Sequence, residues 1–187
     1  MAVCCKADKS QWLRFLTWVA LCKLKDYTMK TTIKYEVKEI TWTEKTFVAR
    51  RAKVSFDKLT EFFTASYGSI YRALQQMAVD TVEAPFAIYY LVDETNKETD
   101  LAAAVAVNQP LKEIKGFQLV TIPTSKALSV EYYGHYDYMG QAYEALEEYM
   151  KDHNYKSKLT LEQYFTDPLI EKDPEKWKTV IYFIVNE

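Results

Sequence analysis

Glu162 stands among apolar and aromatic residues in the stretch Leu159-Thr160-Leu161-Glu162-Gln163-Tyr164-Phe165. Read as a strand, this stretch alternates faces, so Glu162 and Tyr164 point one way and Leu161, Gln163 and Phe165 the other. The chain carries 15 Tyr, 9 Phe and 4 Trp, enough rings to wall a pocket around one acid. Such walls offer apolar contact and attraction for a cation, while a buried carboxyl supplies countercharge or a proton. An exposed glutamate on an edge strand is the plain alternative.

The elements that must position this acid repeat in order. Ile33, Tyr35 and Val37 alternate with charged residues as a half-buried strand, and Phe47 to Val54 forms a second. Phe56, Leu59, Phe62, Phe63, Tyr67, Ile70, Tyr71, Leu74 and Met77 then recur at helical spacing, with Ser55 as the expected N-cap. Strands over 86–92 and 101–107 follow. The second half brings strands over 117–122 and 127–133, a helix with Met139, Ala142, Tyr143, Leu146, Tyr149 and Met150 on its apolar stripe, then strands over 159–165 and 179–185. Tyr71-Arg72-Ala73-Leu74 matches Tyr143-Glu144-Ala145-Leu146, and Ile88-Tyr89-Tyr90 matches Gln163-Tyr164-Phe165. The expected fold class is α+β: pseudo-twofold duplicated β-β-α-β-β lobes, an antiparallel sheet with two long helices around a central groove. The repeats span about 32–108 and 116–186 within one ligand-binding domain over 31–187.

Composition narrows the function. A net charge of −2 and the lack of a basic stripe argue against direct nucleic-acid binding. Phosphate-cradling glycine loops are missing, and two histidines far from any cysteine leave no zinc-ligand spacing, so neither metal nor cofactor is expected. The three cysteines, Cys4, Cys5 and Cys22, form no disulfide framework and fit a reducing cytoplasm. The apolar run from Trp12 to Leu24 is broken by Arg14 and Lys23, so it is too short and too charged to span a membrane. Residues 1–30 read as an extension: an amphipathic helix docking on the body or on a partner, or a segment of little role ahead of a functional chain that begins at Met29.

Phe86-Ala87-Ile88-Tyr89-Tyr90, Glu131-Tyr132-Tyr133-Gly134-His135-Tyr136-Asp137, Gln141-Ala142-Tyr143-Glu144-Ala145-Leu146 and Glu162-Gln163-Tyr164-Phe165-Thr166-Asp167-Pro168 occur in that order. The ordered set resembles GyrI-like small-molecule-binding domains, similar to the effector-binding domains of AraC-type and multidrug-responsive MerR-type bacterial transcription activators. The resemblance implies a pocket with Glu162 at its floor. It also implies ligand contacts from Phe56, Phe86, Trp177, Tyr138 and Met139, with Tyr89, Tyr164 and Tyr182 on neighbouring strands. Where such proteins often carry further acids, this chain has Val180 and Leu101-Ala102-Ala103-Ala104. If these side chains face the groove, the change favours bulky, largely apolar or singly charged ligands.

The expected function is a stand-alone binding protein for lipophilic, aromatic or cationic compounds, acting as sensor, sequestering protein or regulator. A second reading is a hydrolase that detoxifies strained-ring alkylating compounds, with Glu162 as its catalytic acid or base. A third is an interaction with a protein partner, as in the gyrase inhibitor that gives the family its name. Haem binding, as in SOUL-type proteins, is a distant fourth, with His135 the nearest thing to an axial ligand. Recognition needs only a carboxylate and rings, whereas catalysis needs additional geometry, so binding is preferred. His135 reads as a turn histidine and His153 as a cation suited to a helix C-terminus.

Overall fold

The computed structural model describes residues 35–81 and 83–186. Their strands are Lys38–Trp42 (β1), Lys45–Ser55 (β2), Phe86–Asp93 (β3), Glu98–Val107 (β4), Gln118–Ile122 (β5), Ser125–Tyr133 (β6), Lys156–Tyr164 (β7) and Lys178–Asn186 (β8). Helix α1 (Leu59–Gln76) joins β2 to β3, and α2 (Gly140–Asp152) joins β6 to β7. All eight strands lie in one antiparallel sheet of order β1-β6-β8-β7-β3-β4-β2-β5.

Two short links force this sheet to curl. Trp42 ends β1 and Lys45 begins β2, yet these strands stand six places apart in the sheet. In a flat sheet the gap would be about 29 Å, while that link reaches about 10 Å. Ile122 and Ser125 impose the same condition on β5 and β6. The sheet therefore closes into a half-barrel, and its ends meet where the Glu44 amide donates to Thr124 Oγ1 at 3.2 Å.

The strand order reads as the same half twice, mirrored about the β3–β7 seam. Each half lends its first strand to the other: β1 pairs with β6, and β5 pairs with β2. At the seam Phe86 pairs with Gln163, Ala87 with Glu162 and Ile88 with Leu161. The sequence match of Ile88-Tyr89-Tyr90 with Gln163-Tyr164-Phe165 makes Ala87 the counterpart of Glu162, so the pseudo-axis passes through that pair.

Alternation along the strands separates two faces. One carries both helices: Ile70 and Leu74 of α1 pack on Val48, Ala103 and Val105, while Ala142 and Leu146 of α2 pack on Leu128, Val130, Ile181 and Phe183. The other, concave face is filled by Trp42, Phe47, Phe86, Ile88, Leu161 and Ile184, with small Ala49, Ala102, Ala104 and Ala127 between them. Each buried large side chain there contributes about 1.5–3 kcal/mol from area removed from water.

Three expectations change. The first strand was expected over 33–38 and begins at Lys38; Tyr35 and Val37 precede it and pack on the α2 core, with Tyr35 6.3 Å from the Tyr132 ring. Ser55 does not cap α1: its Oγ donates to Asp57 Oδ1 at 2.6 Å, and a 3-10 turn over Phe56–Lys58 precedes the helix. Ala102 and Ala104 fill the concave core and Ala103 lies beneath α1, so these alanines are packing residues and not groove lining. The expected helix over residues 1–30 lies outside the described residues, as do the three cysteines.

Candidate ligand-binding site

Helix α1 rests on β2 and β4, and α2 on β6 and β8. Between them the seam strands β3 and β7 form the floor of a groove. Glu162 sits there with only 4% of its surface exposed. It shares its face with Tyr164, two residues on, as strand alternation requires.

The carboxylate is held by three phenols from three elements. Tyr143 of α2 donates to Oε1 in a very short bond. Tyr164 of β7 donates to Oε2 at 2.5 Å and Tyr89 of β3 at 3.2 Å. Burial pushes the Glu162 carboxyl above its ordinary range, and the bonds from Tyr143, Tyr164 and Tyr89 act in the opposite direction without overcoming it. Burial, then the Glu162 charge, pushes Tyr89, Tyr143 and Tyr164 well above the usual phenol range, so all three remain donors at neutral pH.

A file of rings runs along the groove. Trp177 packs on Tyr136 at 5.1 Å, Tyr136 on Tyr164 at 5.5 Å, Tyr164 on Phe63 at 6.1 Å, and Phe63 stacks on Tyr67 at 5.6 Å. These five residues are half-buried, as a wall open on one side would be. Local chemistry fixes both ends. Tyr67 donates from α1 to the Phe86 carbonyl at 2.9 Å. The Trp177 indole donates to the Glu171 carbonyl at 2.8 Å after a 3-10 turn whose N-cap Asp173 accepts from the Glu175 amide. Gly134 turns β6 toward Tyr136 with φ +145°, and a Cβ there would lie 2.4 Å from the Tyr132 hydroxyl.

The sequence-predicted residues divide by location. Glu162, Tyr89 and Tyr164 are hydrogen-bonded together, and Trp177 stands at one end of the ring file. Phe86 and Tyr182 lie on the concave face with Gln163, opposite Glu162. Val180, two residues before Tyr182 on the same strand, shares that face, so an acid at this position would not point at Glu162. Met139 is buried beneath α2, and Tyr138 is 61% exposed on the preceding turn. Phe56 stands at the end of β2, where Ser55 pairs with Glu98 while Ala87 pairs with Ala103. His135 accepts the Asp137 amide at its Nδ1 and packs on Trp177 at 5.2 Å. His153 stacks on Tyr149 at 4.0 Å.

Sequence reasoning did not single out Tyr143, Tyr136, Phe63 or Tyr67 as site residues. Tyr143 had a signal in its match to Tyr71; the others read as ordinary apolar-stripe or turn residues. Glu147, one turn beyond Tyr143, was also missed; burial, then the Glu144 charge, raises its carboxyl to about 7.

Fold and site together define a ligand-binding domain with one acid on a pseudo-twofold axis between two helices. The chain belongs to the GyrI-like small molecule binding domain family, which matches residues 35–185. Among solved structures, the C-terminal domain of EcmrR superposes with a TM-score of 0.71 at 21% identity, covering 82% of this chain and 98% of that one. A hydrolase from Listeria innocua gives 0.61 at 13% identity, over 81% of this chain and 92% of that one. SAV2435 bound to tetraphenylphosphonium gives 0.58 at 16%, over 82% and 94%. At these identities the likeness is one of fold. The sequence has no match among the curated proteins compared. Among the described residues no helix is long and apolar enough to cross a membrane.

Proposed function

We propose that the groove between α1 and α2 binds bulky aromatic compounds, largely apolar or carrying a single positive charge, with Glu162 as countercharge and the ring file as walls. The observation that carries this reading is the buried Glu162 carboxylate, held by three tyrosines beside a file of half-buried rings. A cation above it replaces water with a fixed negative charge in a low-dielectric setting, and each ring facing the cation adds about 0.5–2 kcal/mol. A lipophilic cation bound in a similar fold, as in SAV2435, is consistent with this choice. The biological role that fits is capture: a sensor, sequestering protein or regulator responding to such compounds.

Hydrolysis by Glu162 is the second reading, favoured by its raised carboxyl and by the hydrolase of like fold. The hydrogen bonds weigh against it. Three of the carboxylate's about four lone-pair sites already accept phenol protons, which leaves one on Oε1 for proton transfer with a substrate. Attraction for a cation needs no free lone pair.

Thermal-shift titration with tetraphenylphosphonium tests the choice. Binding gives a concentration-dependent rise in Tm that shrinks in Glu162→Gln. Turnover of a strained-ring alkylating compound by wild type and not by Glu162→Gln would favour the hydrolase instead.

A further inference from the structure

On the reading proposed above the groove takes aromatic cations, and the chain carries one of its own. Residues 1–34 hold seven Lys or Arg and two Asp, so the net charge of −2 divides into +5 there and −7 on residues 35–187. Within that basic stretch Trp12-Leu13-Arg14-Phe15-Leu16-Thr17-Trp18 places three rings around a single cation. Rings with one positive charge are the chemistry assigned to the groove's ligand, here tethered to the protein.

The body receives this stretch at one end of the groove. β1 runs antiparallel to β6 with Lys38 opposite Ser129, and that register carried three residues back sets Tyr35 opposite Tyr132, their rings 6.3 Å apart. Residues 1–34 therefore join the body beside the turn that follows β6. That turn is tied to the ring file: the Gly134 amide donates to the Trp177 carbonyl at 3.0 Å, and His135 packs on Trp177 at 5.2 Å. From Trp177 the file reaches Tyr164, a donor to Glu162, through Tyr136 alone. Trp18 lies 17 residues before Tyr35, a reach of about 26 Å even as helix and about 56 Å extended.

The same end of the groove leaves apolar surface in water. Leu169 is 77% and Ile170 82% exposed, just before Glu171, whose carbonyl accepts the Trp177 indole proton. Leu13 and Leu16 flank Arg14 and Phe15 with matching apolar side chains.

We propose, resting on the groove reading, that residues 12–18 occupy the groove of their own chain, with Arg14 toward Glu162 and Trp12, Phe15 and Trp18 on the ring file. A small-molecule ligand must then displace a tethered competitor. At an effective concentration of about 1 mM for a short tether, even a contact of about 0.25 mM affinity fills the groove roughly four-fifths of the time.

The full chain is used throughout. In its ligand-free state nuclear Overhauser contacts are expected from the Trp12 or Trp18 ring to the Tyr136 and Tyr164 rings, and saturating tetraphenylphosphonium should remove them. Arg14→Gln combined with Trp18→Ala should bind tetraphenylphosphonium about fivefold more tightly than wild type, because the groove is then open. Lys30→Gln, which removes the same charge outside the apolar run, should leave the affinity unchanged. Absence of the contacts in the ligand-free chain overturns the proposal, as does equal measurable affinity in wild type and the double variant. Contacts found only between labelled and unlabelled copies in an isotope-filtered mixture overturn it in favour of an exchanged dimer. If the contacts are missing while tetraphenylphosphonium binds through Glu162, the docking fails and the groove reading stands. If the contacts are present and tetraphenylphosphonium binds neither protein, the small-ligand reading fails and the docking stands.

Discussion

Ala87 and Glu162 face each other as cross-strand partners on the seam where the two halves of the sheet meet. Duplicated strands put equivalent positions at this contact, and one copy carries a methyl group while the other carries an acid. The difference leaves a single carboxylate on the pseudo-axis, with Tyr89 and Tyr164 at matching places on either side. Two acids here would be like charges a few ångströms apart in a buried setting, at large cost. Alanine also keeps the floor beside Glu162 small, at a position that is fully buried.

That floor can be raised. Ala87→Ile adds bulk to a fully buried position. It should cost about 1–3 kcal/mol in stability through overpacking and should abolish the thermal shift given by tetraphenylphosphonium. Urea denaturation and ligand melts of the same variant separate the two effects.

Tyr143→Phe removes the phenol on Oε1 and leaves that oxygen buried without its donor from α2. A loss of about 1.5–3 kcal/mol is expected, the range for hydrogen bonds to charged groups. Tyr89→Phe, whose bond is the longest of the three, should cost less. Chemical denaturation at pH 7 ranks them; equal losses would show that these two bonds do not differ as their geometry indicates.

The stability of the fold should fall with rising pH in the range where Glu162 ionises. Its folded carboxyl lies above the ordinary value of 4.5, so the folded state binds the proton more tightly than the unfolded chain does. Its contribution is complete below about 4.5 and is lost as pH rises through the folded value. Glu147, raised to about 7, acts in the same direction. The difference between wild type and Glu162→Gln, followed by denaturation from pH 4 to 8, isolates Glu162: wild type should lose stability relative to the variant as pH rises. A flat difference would contradict the assigned burial effect.

Gly134→Ala should destabilise by more than about 1 kcal/mol, because alanine is strained at that backbone conformation. The added Cβ also meets the Tyr132 hydroxyl, which donates to the His135 carbonyl at 2.8 Å. Tyr136 follows directly, so ligand response should drop along with Tm in a thermal-shift assay.

Much of this was legible in the sequence because it depends on periodicity. Alternation placed Glu162 with Tyr164 and apart from Gln163, and every expected strand from Phe47 onward has its counterpart. What periodicity cannot carry is which strand pairs with which. The exchange of β1 and β5 between halves depends on two-residue links closing a curled sheet, and nothing local encodes it. For the same reason the sequence alone groups Phe86 and Tyr182 with Glu162: their types suit a pocket wall, but their faces are set by register. Tyr143 reaches Glu162 from a helix 19 residues earlier in the chain, a contact fixed by how α2 crosses the sheet.

The most direct test is calorimetric titration of tetraphenylphosphonium into wild type and Glu162→Gln at pH 7. The buried countercharge predicts binding at least tenfold weaker in the variant, about 1.4 kcal/mol, with the fold intact by circular dichroism. Equal affinities in the two proteins, or no binding by wild type, would contradict it.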